Sequence, residues 1–400
     1  MVEEKKDKYQ AELSQALRDI LTYWMEKTPD HENGGFYGKI DNGNRITAEA
    51  PKGSVLNARI LWSFAAAYNH DPQPRYLETA ERAYHYIAAH FVDNNYGGVY
   101  WTVDAEGKPM DTKKQIYAIA FTIYAFSEYF IASGKEVARD HAVELYQDLV
   151  KYSLDQEKGG YFEAFDKEWQ PIADLRLSDK DANEKKTMNT HLHVLEGFAN
   201  LYRIWPDEEL KDRITELLSN FTTHMIDAET GHLKLFFDED WNSKSPLISY
   251  GHDIEASWLL LEAAEIIEDQ EWITRLKDTA VKMAYAAIEG VDQDGGVFYE
   301  KDPVANHVIK EKHWWVQAEA MVGFYNALQI SADQIFLDHF AKVWDYTQKH
   351  IIDHENGEWF WGIGADGQVM TGEDKVGLWK CPYHNSRACI EILNTFNFSL

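Results

Sequence analysis

Histidines and acids at short, regular spacing are the residues of this 400-residue chain best suited to chemistry. His252-Asp-Ile-Glu255 puts an imidazole and a carboxylate three residues apart, on one face of a helix, where the acid can orient the ring for proton transfer. His384-Asn-Ser-Arg387 offers a second imidazole at the start of another apolar run, and Asn189-Thr-His191-Leu-His193 offers two more. His191 and His193 are two apart and leave a helix on different faces, so one of them addresses a ligand and the other is structural. A histidine in the first turn of a helix is disfavoured as imidazolium, stays neutral and can accept a proton near pH 7, as a general base must. Metal chemistry finds no motif: there is no His-Glu-x-x-His, no cysteine cluster and no pair of carboxylate-x-x-histidine units. No metal is expected. The Gly-Gly pairs lack the contexts of nucleotide-binding loops and read as hairpin turns.

Fourteen tryptophans and 22 tyrosines exceed what packing needs. Tyr117, Trp314, Trp315, Trp379 and Tyr383 fall near the histidines, with Trp101, Trp241 and Trp361 in or after hairpins. Flat aromatic faces pack on the C–H faces of sugar rings while Arg, Asn and Glu bind hydroxyls, so a sugar is the natural ligand. Trp62, Trp258 and most hairpin aromatics are assigned to packing, and Trp315 and Trp379 to the ligand.

These residues are positioned by a repeat. Gly-rich aromatic turns begin at Gly34, Gly97, Gly159, Gly231, Gly295 and Gly357, at spacings of 63, 62, 72, 64 and 62 residues. An Asp stands four residues before the Gly in five copies (Asp30, Asp93, Asp155, Asp227, Asp353). Between the turns, apolar periodicity predicts two helices per repeat. One set (6–26, 75–91, 136–153, 207–226, 270–289, 333–351) is amphipathic; the other (54–69, 115–132, 189–204, 252–268, 313–329, 384–396) is apolar all round and therefore buried. Six buried helices inside six amphipathic ones describe an all-α (α/α)6 barrel with short β-hairpins in its connecting loops, a single domain over residues 1–400. Every inner helix then starts at one end, which gathers Asn57, Arg59, Tyr117, Asn189, His252, Glu255, Gln317, His384 and Arg387 into a ligand pocket.

Bulk properties narrow the partners. With 39 basic and 67 acidic residues, the net charge of -28 repels phosphate backbones and anionic membranes, so neither nucleic acid nor membrane is expected. The charged start lacks a signal-like apolar stretch, no segment approaches 18 uninterrupted apolar residues, and Cys381 and Cys389, eight apart in one predicted helix, cannot pair; a reducing cytoplasm fits.

Asn57-Ala-Arg59-Ile-Leu-Trp, Asn189-Thr-His-Leu-His193, Gly251-His252-Asp-Ile-Glu255-Ala-Ser-Trp and Lys380-Cys-Pro-Tyr-His384-Asn-Ser-Arg together resemble the N-acylglucosamine 2-epimerase superfamily, in its cellobiose 2-epimerase branch, over essentially the whole chain. The resemblance implies reversible inversion at C2 of the reducing-end glucose of β-1,4-linked disaccharides such as cellobiose and lactose. It implies ring opening, a cis-enediolate and no metal or organic cofactor; a monomer is expected, although the sequence itself does not fix the oligomeric state. By resemblance His384 and His252 are the acid/base pair, Arg59 stabilises the enediolate, and His193, favoured over His191, aids ring opening. Tyr117, Asp181, Asn189, Glu255, Trp315 and Trp379 hold the substrate. The rivals are an N-acylglucosamine 2-epimerase or a mannose (aldose–ketose) isomerase on the same barrel, an inverting glycoside hydrolase using Asp253, Glu255 or Glu319, and a sugar-binding protein without activity.

Overall fold

A computed structural model describes residues 2–395. Among these, twelve α-helices alternate between an outer and an inner layer. In chain order they pair as α1 (Val2–Lys27) with α2 (Ser54–His70), α3 (Pro74–Tyr86) with α4 (Ile116–Ser133), and α5 (Glu136–Ser153) with α6 (Met188–Ile204). The series continues with α7 (Glu208–Asn220) and α8 (Tyr250–Ile266), α9 (Gln270–Ile288) and α10 (Trp314–Ser331), and α11 (Gln334–Tyr346) and α12 (Tyr383–Thr395). Each even-numbered helix packs on the next, α2 on α4, α4 on α6, and so on round to α12 on α2, which closes the inner ring. The architecture is the all-α barrel that the helical periodicity implies.

Burial follows the pattern of the sequence. In α3 the buried residues are Tyr76, Ala80, Ala83, Tyr84 and Tyr86, one stripe of an otherwise exposed helix, whereas α4 is buried almost without interruption from Ile116 to Ser127. By length and composition α4 could cross a membrane, but it is mostly buried inside the ring. Three outer helices end in a π-helical turn that periodicity did not anticipate: Ile87–Phe91, Phe221–Met225 and Thr347–Ile351, in alternate repeats. Cys381 precedes α12 rather than sharing it with Cys389, and both are free, buried thiols. The expected end of that helix at residue 396 lies outside the described residues.

The glycine of each turn has a left-handed φ, between +73° and +94° across Gly34, Gly97, Gly159, Gly231, Gly295 and Gly357, which is why glycine recurs there. The preceding Asp has two tasks. Asp30 Oδ1 accepts from the amides of Glu32 and Asn33, and Oδ2 accepts from Lys52 Nζ at 2.8 Å. Asp93–Lys114, Asp155–Lys186 and Asp353–Lys375 repeat the arrangement, and in the fifth copy Asp292, one residue later, pairs with Lys312. Lys52, Lys114, Lys186 and Lys312 each lie just before an inner helix, so a buried ion pair pins the start of that helix to its own hairpin. The fourth repeat has no such lysine; Asp253 of α8 instead accepts from His232 Nδ1 and the Leu233 amide, both at 2.7 Å.

The residues before each inner helix also pair with the next repeat. Lys52–Gly53 ladders antiparallel with Thr102–Val103, Lys114–Gln115 with Ala164–Phe165, Lys186–Thr187 with Phe236–Phe237, and Lys312–His313 with Gly362–Ile363. A bridge from Val376 to Ile40 links the last repeat to the first. All the inner-helix N-termini are thereby held at one end of the barrel.

Candidate active site

At that end lies a cavity of about 380 Å³, within the ~300–1,000 Å³ range of small-molecule sites. Its lining includes each of Arg59, Tyr117, Asp181, Asn189, His193, His252, Glu255, Trp315, Trp379 and His384. Residues from all six inner helices, from the loop before α6 and from the segment before α12 thus share one space.

The two candidate bases flank one indole: the Trp315 ring centroid is 4.8 Å from that of His252 and 5.7 Å from that of His384. Gly251 permits this packing, because a Cβ there would come within 2.5 Å of the Trp315 ring. The group that orients His252 differs from the sequence reading, which gave that task to Glu255. His252 Nδ1 is 2.8 Å from Ser249 Oγ, and Glu255 turns away to accept from Arg387 Nη2 at 2.7 Å. His384 Nδ1 donates to Glu319 Oε1 at 2.6 Å, which directs its Nε2 lone pair elsewhere. The histidine-x-x-glutamate pairing expected on α8 occurs on α6, where His193 Nδ1 lies 2.9 Å from Glu196 Oε2. His191 faces the shell behind, between the Thr187 carbonyl and the Tyr161 amide, while His193 lines the cavity.

Beneath the cavity floor one guanidinium ties these acids together. Arg387, fully buried, donates to Glu196 and Tyr383 through Nη1 and to Glu255 and Glu319 through Nη2, the last at 2.6 Å. It therefore belongs under the pocket rather than at its mouth. Burial alone would raise Glu319, but Arg387 and the His384 bond hold it down at about 2, while burial and the Glu319 charge push Glu255 well above the usual carboxylate range. The shared guanidinium and the burial thus push the two carboxylates in opposite directions, Glu319 down and Glu255 up. Burial, the largest influence on each ring, pulls His252 and His384 down to about 3 and also lowers His193, so these three imidazoles are neutral.

Arg59 is the buried cation of the pocket's depth. It is 3% exposed, donates through Nη2 to Tyr117 OH at 2.7 Å and lies 4.3 Å from the Phe121 ring centroid; its Nε has no protein partner. Among the described residues no carboxylate neutralises it within ion-pair distance, which leaves its charge available to an anion in the cavity.

Glu255, Glu319 and His384 bring three ligand-type atoms within 4.8 Å of one another, a spacing that could hold a metal ion. The Arg387 guanidinium already bridges the two carboxylates and opposes a second cation there. The same geometry bears on the hydrolase alternative. Glu255 and Glu319 are closer than the ~6.5–9.5 Å that an inverting pair needs, and Asp253 faces its hairpin, outside the cavity lining.

Trp314 and Trp361, noted in the sequence among the aromatics, both stand in the wall, and each indole Nε1 lacks a protein partner. Other pocket residues had not been singled out from sequence. Tyr299 and Glu300 reach in from the strand Glu300–Asp302 and the residue before it, and Glu163 from the third hairpin. Glu196 was legible by the spacing rule already applied to His252; Glu319, 65 residues from His384, was not.

The family model for N-acylglucosamine 2-epimerase (GlcNAc 2-epimerase) matches residues 35–388. The cellobiose 2-epimerase of Bacteroides fragilis is 50% identical over 374 residues, covering 94% of this chain and 95% of that protein. Among solved structures, a sugar epimerase from a ruminal bacterium superposes with a TM-score of 0.93 at 38% identity, covering 98% of this chain and 100% of its own. The cellobiose 2-epimerase of Bacillus thermoamylovorans B4167 gives 0.91 at 38% identity, covering 97% and 99%. With a closed α/α barrel and a pocket lined by neutral histidines, and matched over nearly its whole length, the chain belongs to the N-acylglucosamine 2-epimerase family.

Proposed function

We propose that the chain is a cellobiose 2-epimerase, interconverting glucose and mannose at the reducing end of β-1,4-linked disaccharides without a metal or organic cofactor. The observation that carries the reading is the pair of neutral imidazoles, His252 and His384, against one Trp315 face in a pocket whose cation, Arg59, has no counter-charge.

Ring opening comes first: the hemiacetal O1 loses its proton, the C1–O5 bond breaks, and O5 gains a proton. His193, braced by Glu196, is the group for this transfer. The C1 carbonyl then acidifies C2–H. One histidine takes that proton, and the bonding pair moves into C1–C2 as C1=O becomes an oxyanion beside Arg59. The enediolate rotates about C2–C3, and the second histidine delivers to the opposite face of C2 a proton it takes up from solvent while the first releases the one it removed, so the carbonyl is restored and both rings end neutral. His384 begins as the more strongly supported base, because the Glu319 carboxylate stabilises the imidazolium that forms. Burial makes that imidazolium a strong acid, ready to return its proton in the reverse direction. Asn189, whose Oδ1 has no protein partner, and Tyr117 contact hydroxyls, and Trp315 and Trp379 flank the sugar rings.

Incubation with cellobiose in heavy water tests the reading. Deuterium at C2 of an epimerised, intact disaccharide is expected; free glucose would mean hydrolysis, and a ketose alone would mean isomerisation. His384→Ala and His252→Ala should each abolish exchange with unchanged circular dichroism, and EDTA should leave the rate unaltered.

A further inference from the structure

The pocket carries opposite charge at its two ends. Its depth holds Arg59, unpaired, above Arg387. Its mouth is acidic. Asp181, on the loop before α6, and Glu300, on the strand Glu300–Asp302, both line the cavity, and the Asp181 charge acts on Glu300. Asp181 Oδ2 accepts only from the Ser178 amide and hydroxyl, at 2.9 and 3.0 Å, and the Glu300 carboxylate has no protein partner among the described residues. The basic residues nearby, Arg176 and Lys180, offset only part of this charge. Arg176 spends its guanidinium on Asp174 through two 2.8 Å bonds, and Lys180 is exposed without an ion pair.

A disaccharide whose reducing unit reacts at depth leaves its other ring at this mouth. We propose that Asp181 and Glu300 make the mouth a charge filter: disaccharides with a cationic amino sugar at the non-reducing end are accepted, and those with a uronic acid there are rejected. The inference rests on the epimerase reading for which ring lies where. Its physical basis is like-charge repulsion in a partly desolvated cleft, where a carboxylate on the substrate faces Asp181 and Glu300, with Asp179, Glu184 and Glu373 also in the lining, against one unpaired cation, the exposed Lys180. An ammonium in place of the 2-hydroxyl of that ring meets the same pair as an attractive field. Burial and the Asp181 charge raise Glu300 to about 7, so the filter strengthens as pH rises from 6 to 8; Lys180 opposes and Glu311 adds to the shift, and Tyr299 is the remaining titratable neighbour.

The test compares kcat/KM for C2 epimerisation of cellobiose, β-1,4-glucuronosyl-glucose and β-1,4-glucosaminyl-glucose. At pH 8 and low salt the uronate should be poorer than cellobiose by about tenfold or more, with the gap narrowing in high salt; a smaller gap overturns the inference. At pH 6.5 the amino sugar should match or exceed cellobiose; a lower value overturns it. In the double variant Glu300→Gln/Asp181→Asn the uronate penalty should shrink by about threefold or more, and an unchanged penalty places the selectivity elsewhere. Because each readout is a ratio between two substrates on one protein sample, loss of folded protein cancels. Cellobiose turnover without charge discrimination would sink this inference alone. Cellobiose without C2 exchange would sink the epimerase reading, and calorimetric binding of the same three sugars would then decide the filter.

Discussion

Glu163 shows how a single buried side chain sets a pH dependence. It lines the pocket, is 1% exposed, and accepts from the Thr187 amide at 2.7 Å and the Thr190 hydroxyl at 2.6 Å, so it fastens the first turn of α6 beside Asn189 and His193. Burial, outweighing those bonds, raises it to about 8. In the unfolded chain it ionises near the ordinary value of 4.5, so between these limits the folded state holds a proton that the unfolded state has lost. Its contribution to stability is therefore intact below about pH 4.5 and declines as pH rises to about 8. Glu163→Gln keeps the shape without the ionisation. Thermal melts from pH 5 to 8 should show the variant gaining steadily on the wild type, and a constant offset would contradict the assignment. The orientation of the bases is also decided at this scale. His252 and Glu255 share a helical face as their spacing requires, yet a serine holds the ring, because Arg387 attracts Glu255 more strongly than a neutral imidazole can.

Among the elements, the hairpin and its buried lysine are the unit that repeats. Each pair joins a turn to the start of an inner helix, and that start is where pocket residues sit. Lys114 is fully buried, donates to Asp93 at 2.7 Å and lies 4.9 Å from the Tyr100 ring centroid, immediately ahead of the helix that carries Tyr117. Lys114→Met would leave Asp93 buried without its cation, at a cost of about 3–5 kcal/mol. Urea unfolding should record that loss, and adding Asp93→Asn should recover part of it. The recurring Asp was visible in the sequence, but its partner was not: Lys52, Lys114 and Lys312 resemble other lysines until folding removes them from water. The π turns were missed for a related reason. Their residues keep helical periodicity, and only the hydrogen-bond ladder changes.

For the whole molecule, closure of the ring has a thermodynamic consequence. With each inner helix packed on the next, α12 on α2, and a strand bridge from Val376 to Ile40, no repeat buries its core alone. We propose that residues 1–400 form a single domain, so tryptophan fluorescence and far-UV circular dichroism should report one coincident unfolding transition; two separated transitions would divide the ring. The fold was readable because its code is local: a 3.6-residue apolar period, a glycine wherever φ must be positive, and a spacing that recurs six times. The same locality placed His193, His252, His384, Arg59 and Tyr117 at helix starts and so at one mouth. Their partners are long-range. Which carboxylate orients His384, which guanidinium holds Glu196, Glu255 and Glu319, and which imidazoles lose their charge depend on contacts up to 191 residues apart and on exclusion of water. Sequence determined the helices, their order and the end at which chemistry gathers. Tertiary structure alone decided the pairing and protonation of those groups, because desolvation and Coulomb energy depend on distances in space that spacing along the chain does not encode.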